Sequence, residues 1–207
     1  FGIMFSLLLI SMLTLAFNIQ PVKATGTIYI RADGSIDPPT APISTVDNVT
    51  YTFTDNINDS IVVERDNLVV DGTGYTVQGA GAHEYKGISL SGRSNVTIKS
   101  MKIEAFDCGI FLYHSSGNTI SKNNVTSNSG GISLGSSDNN SISGNNIANN
   151  GIGINLFESS NNVLRNNSIA DNTYNFAVSG LFWVSTFVND VDVSNTVDGK
   201  PIYYWVN

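Results

Sequence analysis

Isoleucine, leucine and valine return at fixed intervals through the second half of the chain, set among asparagine, serine and glycine. Aligned on these aliphatic residues, four segments of 22 residues follow one another without a gap: 95–116, 117–138, 139–160 and 161–182. Four aliphatic columns run through them: Ile98/Ile120/Ile142/Leu164, Ile103/Val125/Ile147/Ile169, Ile110/Ile132/Ile154/Phe176 and Leu112/Leu134/Leu156/Val178. Because unrelated apolar residues would drift out of phase, the pattern indicates an internal repeat.

A fifth unit, residues 67–94, precedes these four and is six residues longer. Val70 and Val77 fill its first two columns, and Ile88 and Leu90 fill the last two. The additional residues lie between Val77 and Ile88, so the segment GAGAHEYK is predicted to form a surface loop.

The spacing within a unit predicts strands. Ile110 and Leu112 are two residues apart, which is the alternation of a β-strand, and no unit has ten residues of helical periodicity. Three short strands joined by tight bends fit into 22 residues. One such turn cannot bury its inward face alone, whereas stacked turns about 4.8 Å apart share a continuous core. We therefore predict an all-β fold, a right-handed parallel β-helix (solenoid) with coils of about 22 residues.

Asparagine and glycine also form columns. Met101/Asn123/Asn145/Asn167 and Phe106/Asn128/Asn150/Asn172 place amides in register at predicted bends, where each side chain can hydrogen-bond to its copies in the adjacent coils. Gly109, Gly131 and Gly153 recur just before the third aliphatic column, which indicates a positive φ or a close backbone approach.

These units resemble a known family. The pattern NNxIxxNxI…GIxL resembles right-handed parallel β-helix repeats of the NosD-like (PbH1-repeat) family, of the archaeal cell-surface type. NLVVDGTGYTVQG resembles the usual first full coil, and NTVDGKPIYYWVN resembles a segment that follows the repeats in archaeal members. The resemblance covers roughly residues 60–207 and implies the fold, but the same coils carry lyases, hydrolases, epimerases, adhesins and accessory proteins.

The N-terminal residues 1–24 read as a signal peptide. Ile3 to Phe17 is apolar and uncharged, too short for a typical membrane span, and Val22-Lys23-Ala24 approximates a cleavage site. The basic leader is missing and the last residues are apolar, so we expect a fragment at both ends. The alternative is an uncleaved N-terminal anchor. Either way, the remainder is predicted to lie outside the cytoplasm: secreted, at the cell surface, or periplasmic in a bacterium with two membranes.

The rest of the chain divides into three predicted regions. Residues 25–60 form an irregular N-terminal cap with a strand at 27–31, a proline-rich loop and a strand at 49–54. Residues 61–182 carry the repeats. Residues 183–207 form an incomplete C-terminal β segment with a turn at Asp198-Gly199.

The composition limits the classes of binding partner that the chain can have. The 207 residues carry a net charge of −7 with only ten lysines and arginines, which argues against nucleic acid. The single cysteine, Cys108, cannot form an internal disulfide and is expected to be buried. Membrane contact is expected only through an uncleaved N-terminal segment or a missing C-terminal anchor.

Carboxylates do not form a catalytic column. The resemblance implies that an enzyme of this fold would carry acidic residues at equal positions in successive coils, but the outward positions Phe111, Ser133, Asn155 and Ala177 contain none. Glu64 to Asp66 and His83-Glu84 are interpreted as a solvated turn and a surface loop. No catalytic residue and no cofactor are therefore predicted.

The NosD resemblance also implies a connection with the maturation of copper enzymes. His83, His114, Cys108 and Met101 are too few for a soft-metal site, which needs several such ligands together. No metal site is predicted, and an accessory role in periplasmic copper-enzyme maturation stays an alternative.

Aromatic residues are better candidates for a binding site than the carboxylates or the possible metal ligands. Tyr113 and Phe157 share one column two coils apart, and Trp183 and Trp205 lie near the C-terminal end. Exposed rings can stack on sugar faces, so these four are candidate carbohydrate contacts. The alternative is that they belong to the cap and its core. Six Asn-x-Ser/Thr sequons are candidate glycosylation sites: Asn48, Asn58, Asn95, Asn124, Asn139 and Asn166.

The leading hypothesis is a non-catalytic extracellular or cell-surface β-helix module, a rigid scaffold that contacts a polysaccharide or a component of the cell envelope. The first alternative is a polysaccharide lyase, hydrolase or epimerase whose catalytic coils lie outside this sequence. The second is the copper-related accessory role.

Overall fold

A computed structural model describes residues 26–81, 85–181 and 184–205. Over these ranges the chain forms 23 β-strands and one four-residue 3-10 helix, wound into a right-handed parallel β-helix. The predicted all-β solenoid with coils of about 22 residues is confirmed. The predicted signal peptide (1–24), His83, Glu84 and Trp183 lie outside the described residues.

The strands fall into three groups along the chain. The N-terminal group is β1 (Ile28–Ile30), β2 (Ile36–Asp37), β3 (Ile43–Ser44), β4 (Thr50–Phe53) and β5 (Ile61–Val63). The central group has three strands per coil: β6 (Leu68–Asp71), β7 (Thr76–Gln78), β8 (Lys86–Ser91); β9 (Val96–Lys99), β10 (Lys102–Glu104), β11 (Cys108–Tyr113); β12 (Thr119–Ser121), β13 (Asn124–Thr126), β14 (Gly130–Gly135); β15 (Ser141–Ser143), β16 (Asn146–Ala148), β17 (Ile152–Phe157); β18 (Val163–Arg165), β19 (Ser168–Ala170), β20 (Tyr174–Ser179). After the 3-10 helix (Val184–Phe187) come β21 (Asp190–Val191), β22 (Thr196–Val197) and β23 (Lys200–Pro201).

Three sheets run along the solenoid. Sheet A has the order β2-β1-β5-β8-β11-β14-β17-β20, sheet B the order β21-β18-β15-β12-β9-β6-β4-β3, and sheet C the order β23-β22-β19-β16-β13-β10-β7. Neighbouring strands of the central coils are parallel, and each coil passes from sheet B to sheet C to sheet A.

The core consists mainly of the predicted aliphatic columns, and Tyr51 and Phe53 continue it at the N-terminal end. Ile98 pairs in register with Ile120, Ile120 with Ile142, and Ile142 with Leu164. All four side chains are 0 % exposed. Removing a branched side chain of this size from water contributes about 2 kcal/mol, so the repeated burial is the main source of stability.

The bends depend on residues in the left-handed region. In the coil 95–116, φ is positive at Asn95 (53°), Ser100 (59°), Ala105 (63°) and His114 (47°). Corresponding positions of the next coil behave alike, beginning with Gly117 (72°). Asparagine and glycine adopt this region most readily, which explains part of their abundance.

Asparagine ladders connect the coils, as predicted for two columns. In the first, Asn123 donates through Nδ2 to Asn145 Oδ1 at 3.1 Å, and Asn145 Nδ2 to Asn167 Oδ1 at 3.0 Å. In the second, Asn128 Nδ2 donates to Asn150 Oδ1 at 3.1 Å. A third ladder, which the sequence analysis did not identify, consists of Asn118, Asn140, Asn162 and Asn189.

The predicted glycine column owes its composition to a close approach. Gly109, Gly131 and Gly153 do not have positive φ. Instead, a Cβ on Gly131 would lie 2.5 Å from Gly153 O and 2.9 Å from Ile147 Cγ2. The strand therefore passes so near its neighbours that only hydrogen fits at this position.

The two ends of the solenoid are finished differently. At the N-terminal end, β2 and β3 pair antiparallel with β1 and β4. At the C-terminal end, β21 and β22 extend sheets B and C by one strand each, and β23 pairs antiparallel with β22. Sheet A ends at β20.

Candidate functional site

The outer face of sheet A carries the most distinctive surface side chains. One outward row contains Ser89, Phe111, Ser133, Asn155 and Ala177. A second row, two residues further along each strand, contains Ser91, Tyr113, Gly135, Phe157 and Ser179. Parallel pairing sets successive members of a row about 4.8 Å apart.

Tyr113 and Phe157 lie in the second row on either side of Gly135. Their exposed fractions are 45 % and 38 %. A Cβ on Gly135 would lie 3.3 Å from Tyr113 Cδ2, so the tyrosine ring extends over the glycine. The rings of Phe111 and Tyr113 are nearly parallel, at 8°, with centroids 6.3 Å apart. Together these three rings form an aromatic strip on the sheet.

A groove of about 280 Å³ lies beside this strip. Cys108 and Gly130 belong to the same outward row as Lys86, and the small glycine leaves space between the strands. The groove is lined by Lys86, Asp107, Cys108, Phe111, Ser129, Gly130, Ile132, Ser133, Ile152 and Asn155. It therefore combines an aromatic wall with one cation, one carboxylate, hydroxyls and an amide.

Two further cavities adjoin the predicted surface loop between β7 and β8. One of about 330 Å³ includes Gly81 and shares Asp107 and Ser129 with the groove. The other, of about 300 Å³, includes Ala80 and Tyr85. Phe106 lines both of these cavities. Residues of the longer coil, 67–94, thus line both cavities on this side of the solenoid.

Lys86 is the cation of the groove. It begins β8, is half-buried, and its Nζ lies 4.8 Å from the centroid of the Phe111 ring. This geometry is a cation–π contact. Asp107, at the corner before β11, is the carboxylate, and its backbone N–H donates to Tyr85 O at 2.9 Å.

The Cys108 thiol lies beneath these charges and is not reactive in this position. Burial raises its pKa to about 12, with the negative charge of Asp107 adding to the effect and Lys86 opposing it. A thiol with such a pKa stays protonated and a poor nucleophile at neutral pH.

The two predicted tryptophan contacts are not part of this face. Trp205 is 84 % exposed at the C-terminal end of the solenoid, where it lines a separate cavity of about 520 Å³ with Phe176, Val178 and Tyr204. Trp183 lies outside the described residues. The structure brings together Tyr113 and Phe157 and separates Trp205 from them, whereas their role in binding stays a prediction.

Five of the six sequon asparagines are exposed at bends or loops: Asn48, Asn58, Asn95, Asn139 and Asn166. Asn124 is half-buried within β13, and its Oδ1 accepts a hydrogen bond of 2.8 Å from Asn146 Nδ2. Glycosylation stays a prediction for all six.

Lys86 and Asp107 were missed by the sequence analysis. Lys86 lies in the longer unit, and its row continues with Cys108, Gly130 and Ile152, which share no chemistry. Asp107 is the single acid of the column Asp107/Ser129/Gly151/Thr173, so no row of carboxylates marks it in the sequence. The useful signal was the six-residue insertion beside both residues.

A family model described as "Periplasmic copper-binding protein (NosD)" matches residues 25–206. No curated protein and no solved structure matches the chain. The described part of the chain contains no candidate membrane-spanning helix.

The residues do not fit the copper site that this description implies. Met101 is buried in the core, and Cys108 and His114 lie at opposite ends of β11, roughly 20 Å apart by strand rise. In the described part of the chain, no group of three or more His, Cys, Asp or Glu side chains could hold a metal ion. Copper(I) sites need several soft ligands close together.

Proposed function

Because the chain belongs to the NosD family, we propose that it is a non-catalytic β-helix module that acts outside the cytoplasm and binds an extended carbohydrate on sheet A. The family description supports a periplasmic or cell-surface location. The observation that carries the proposal is the exposure of Tyr113 and Phe157 in one row, with no side chain at Gly135 between them.

The spacing of these rings suits a chain of sugars. Tyr113 and Phe157 are two coils apart, which corresponds to about 10 Å along the solenoid. That distance is close to the length of two linked sugar rings, so a glycan that runs parallel to the solenoid axis can place a face on each aromatic ring. Ser133 and Asn155 flank this path and offer hydrogen-bonding groups to sugar hydroxyls.

The polar groups favour binding over hydrolysis. Glycosidases of the usual type use two carboxyl groups, one on each side of the scissile bond. Asp107 is the one carboxylate among the described residues that line the groove. The rigid stack of coils is instead suited to presenting a fixed surface, because its side chains are held by in-register strands on both sides.

A glycan array with the recombinant protein, followed by calorimetry on the best ligand, tests this function. We expect Tyr113→Ala and Phe157→Ala each to weaken binding about tenfold, the loss of one stacking contact. Tyr203→Ala serves as a matched control, because Tyr203 is an aromatic residue 70 % exposed at the C-terminal end. The proposal is wrong if no glycan binds, or if the first two variants bind as tightly as the wild type.

The family description favours a second candidate, an accessory role in the assembly of a copper enzyme. Because the described residues do not fit a copper site, such a role would operate through contact with a partner. Equilibrium dialysis with copper(I) tests the premise that the chain does not handle copper itself: we expect no tight binding by the isolated chain, and stoichiometric, tight binding would count against both candidates as stated.

A further inference from the structure

The groove beside the aromatic strip contains a cation whose position the fold does not explain. Five other basic side chains of the described residues form ion pairs: Arg31, Arg93, Lys99, Lys102 and Arg165. Lys86 instead contacts the face of Phe111. Within the described ranges, its three N–H donors find no carboxylate and no hydrogen-bond acceptor.

Lys86 also differs from the two other lysines of the described residues that form no ion pair. Lys122 and Lys200 are exposed on other surfaces, where water solvates their ammonium groups. Lys86 is half-buried at the mouth of a groove of about 280 Å³. A partly desolvated ammonium gains more from an anion than an exposed one does, because screening by water is weaker there.

From this arrangement we infer that the groove binds a saccharide that carries an anionic group, with the anion at Lys86 and the sugar face on the aromatic strip. The inference rests on the proposed carbohydrate function and specifies its ligand class. Ser133 and Asn155 lie further along the groove and can bond to the hydroxyls of the same saccharide. The Asp107 carboxylate lines the same groove and can accept a hydrogen bond from a sugar hydroxyl.

The net charge of −7 does not contradict this ligand class. At physiological ionic strength the screening length is about 8 Å, so distant carboxylates act weakly on an anion in contact with Lys86. The overall charge would instead slow the approach of densely charged polyanions. Saccharides with one charge per sugar or fewer are therefore the expected ligands.

A pair of ligands that differ only in charge tests the inference. Trigalacturonate and its methyl ester have the same rings and hydroxyls, but the ester lacks the negative charges. We expect the wild-type protein to bind the acid about tenfold more tightly than the ester at low salt, the factor that one charge-assisted hydrogen bond supplies. In Lys86→Gln the two affinities should become equal, with the ester affinity unchanged.

Two variants control for folding and for charge elsewhere. Lys86→Arg retains the cation and should retain the preference for the acid. Lys122→Gln removes an exposed lysine at the corner between sheets B and C and should leave the preference intact. A second pair of ligands, a sulfated trisaccharide and its desulfated form, shows whether the groove prefers a carboxylate or a sulfate ester. A preference for either charged form supports the inference if Lys86→Gln abolishes it.

The outcomes separate this inference from the proposed function. Equal affinity of the wild type for charged and uncharged forms, or a preference that persists in Lys86→Gln, would overturn the anionic ligand class. If Tyr113→Ala still weakened binding in that case, the carbohydrate function would stand. If only uncharged glycans bound on the array, the inference would be wrong as well, whereas the absence of any glycan binding would remove both.

Discussion

At the scale of single residues, buried amides join the coils, a role that ion pairs or disulfides have in many other proteins. Asn145 is 1 % exposed, and its Oδ1 accepts hydrogen bonds from Asn123 N at 3.0 Å and Asn123 Nδ2 at 3.1 Å. Its Nδ2 donates to Ile120 O and to Asn167 Oδ1, both at 3.0 Å. No side-chain nitrogen or oxygen that is buried in the described ranges lacks a partner.

Replacement of a ladder amide should therefore be costly. We expect Asn145→Ala to lower the free energy of unfolding by about 3 kcal/mol, because it leaves the backbone N–H and one side-chain N–H of Asn123 buried without their acceptor. Urea denaturation measures the loss. Asn146→Ala is the matched control, since the Asn146 side chain is exposed and, in the described ranges, donates one hydrogen bond, to Asn124 Oδ1 at 2.8 Å. A loss as large as that of Asn145→Ala would contradict the ladder as a source of stability.

Cys108 predicts how stability changes with alkaline pH. Burial raises the pKa of its thiol from 9.0 to about 12, so the unfolded chain loses this proton at lower pH than the folded chain does. The contribution of the buried thiol to the free energy of unfolding is fully present below pH 9 and should be lost progressively as pH rises toward 12. Thermal melts from pH 8 to 11 measure the decline.

Cys108→Ala isolates this effect. Burial also raises the pKa of the phenols of Tyr51 and Tyr204, so some alkaline destabilisation should persist in the variant. The decline with pH should nevertheless be shallower than in the wild type. Parallel curves for the two proteins would show that the thiol titrates as it does in the unfolded chain.

At the scale of elements, the sequence predicts the central strands well because their residues repeat. The alternation of Ile110 and Leu112 recurs at the same positions of every central coil, and the strand register follows from the constant repeat length of 22 residues. The short strands β2 and β3 were not predicted, since a proline-rich segment that occurs once offers no column to align. The sequence predicted the glycine column but left two reasons for it open. The close approach is identified by the 2.5 Å that would separate a Cβ on Gly131 from Gly153 O.

Two adjacent glycines of β14 provide a test of this packing. A Cβ on Gly131 would lie 2.5 Å from the Gly153 carbonyl oxygen, whereas one on Gly130 would meet no atom closer than 3.6 Å. We expect Gly131→Ala to destabilise the protein by about 2 kcal/mol through forced displacement of the neighbouring strand, as in an overpacked core. Gly130→Ala should stay within about 0.5 kcal/mol of the wild type. Chemical denaturation of both variants measures the difference, and equal stabilities would refute the close approach.

At the scale of the whole molecule, the fold is close to one-dimensional, since each coil contacts mainly the coils before and after it. That is why the family and the architecture could be inferred from the repeat, whereas the site could not. Tyr113 and Phe157 were found as members of a column. The groove instead depends on the longer coil, residues 67–94, because its strand β8 begins at Lys86 and pairs with β11, which follows Asp107.

Removal of one complete coil should leave a folded protein. Deletion of residues 139–160 brings Ile120 into register with Leu164 and Asn118 into register with Asn162, so core and ladders continue. We expect a cooperative thermal transition at a lower temperature than in the wild type, and circular dichroism measures it. Deletion of 139–149 alone would put inward residues on the outer faces, and this variant should not fold. A solenoid built on a constant stride requires that contrast.

One ladder residue also bears on how the protein ages chemically. Asn150 precedes Gly151, the dipeptide in which asparagine most readily deamidates, because the glycine nitrogen can attack the side-chain carbonyl. In the fold, Gly151 N donates to Asn128 O at 3.0 Å, and Asn150 Oδ1 is held by Asn128 N at 3.0 Å and Asn128 Nδ2 at 3.1 Å. Cyclisation to a succinimide would have to break all three contacts, so the amides that join the coils also preserve one another from hydrolysis for as long as the coils stay together.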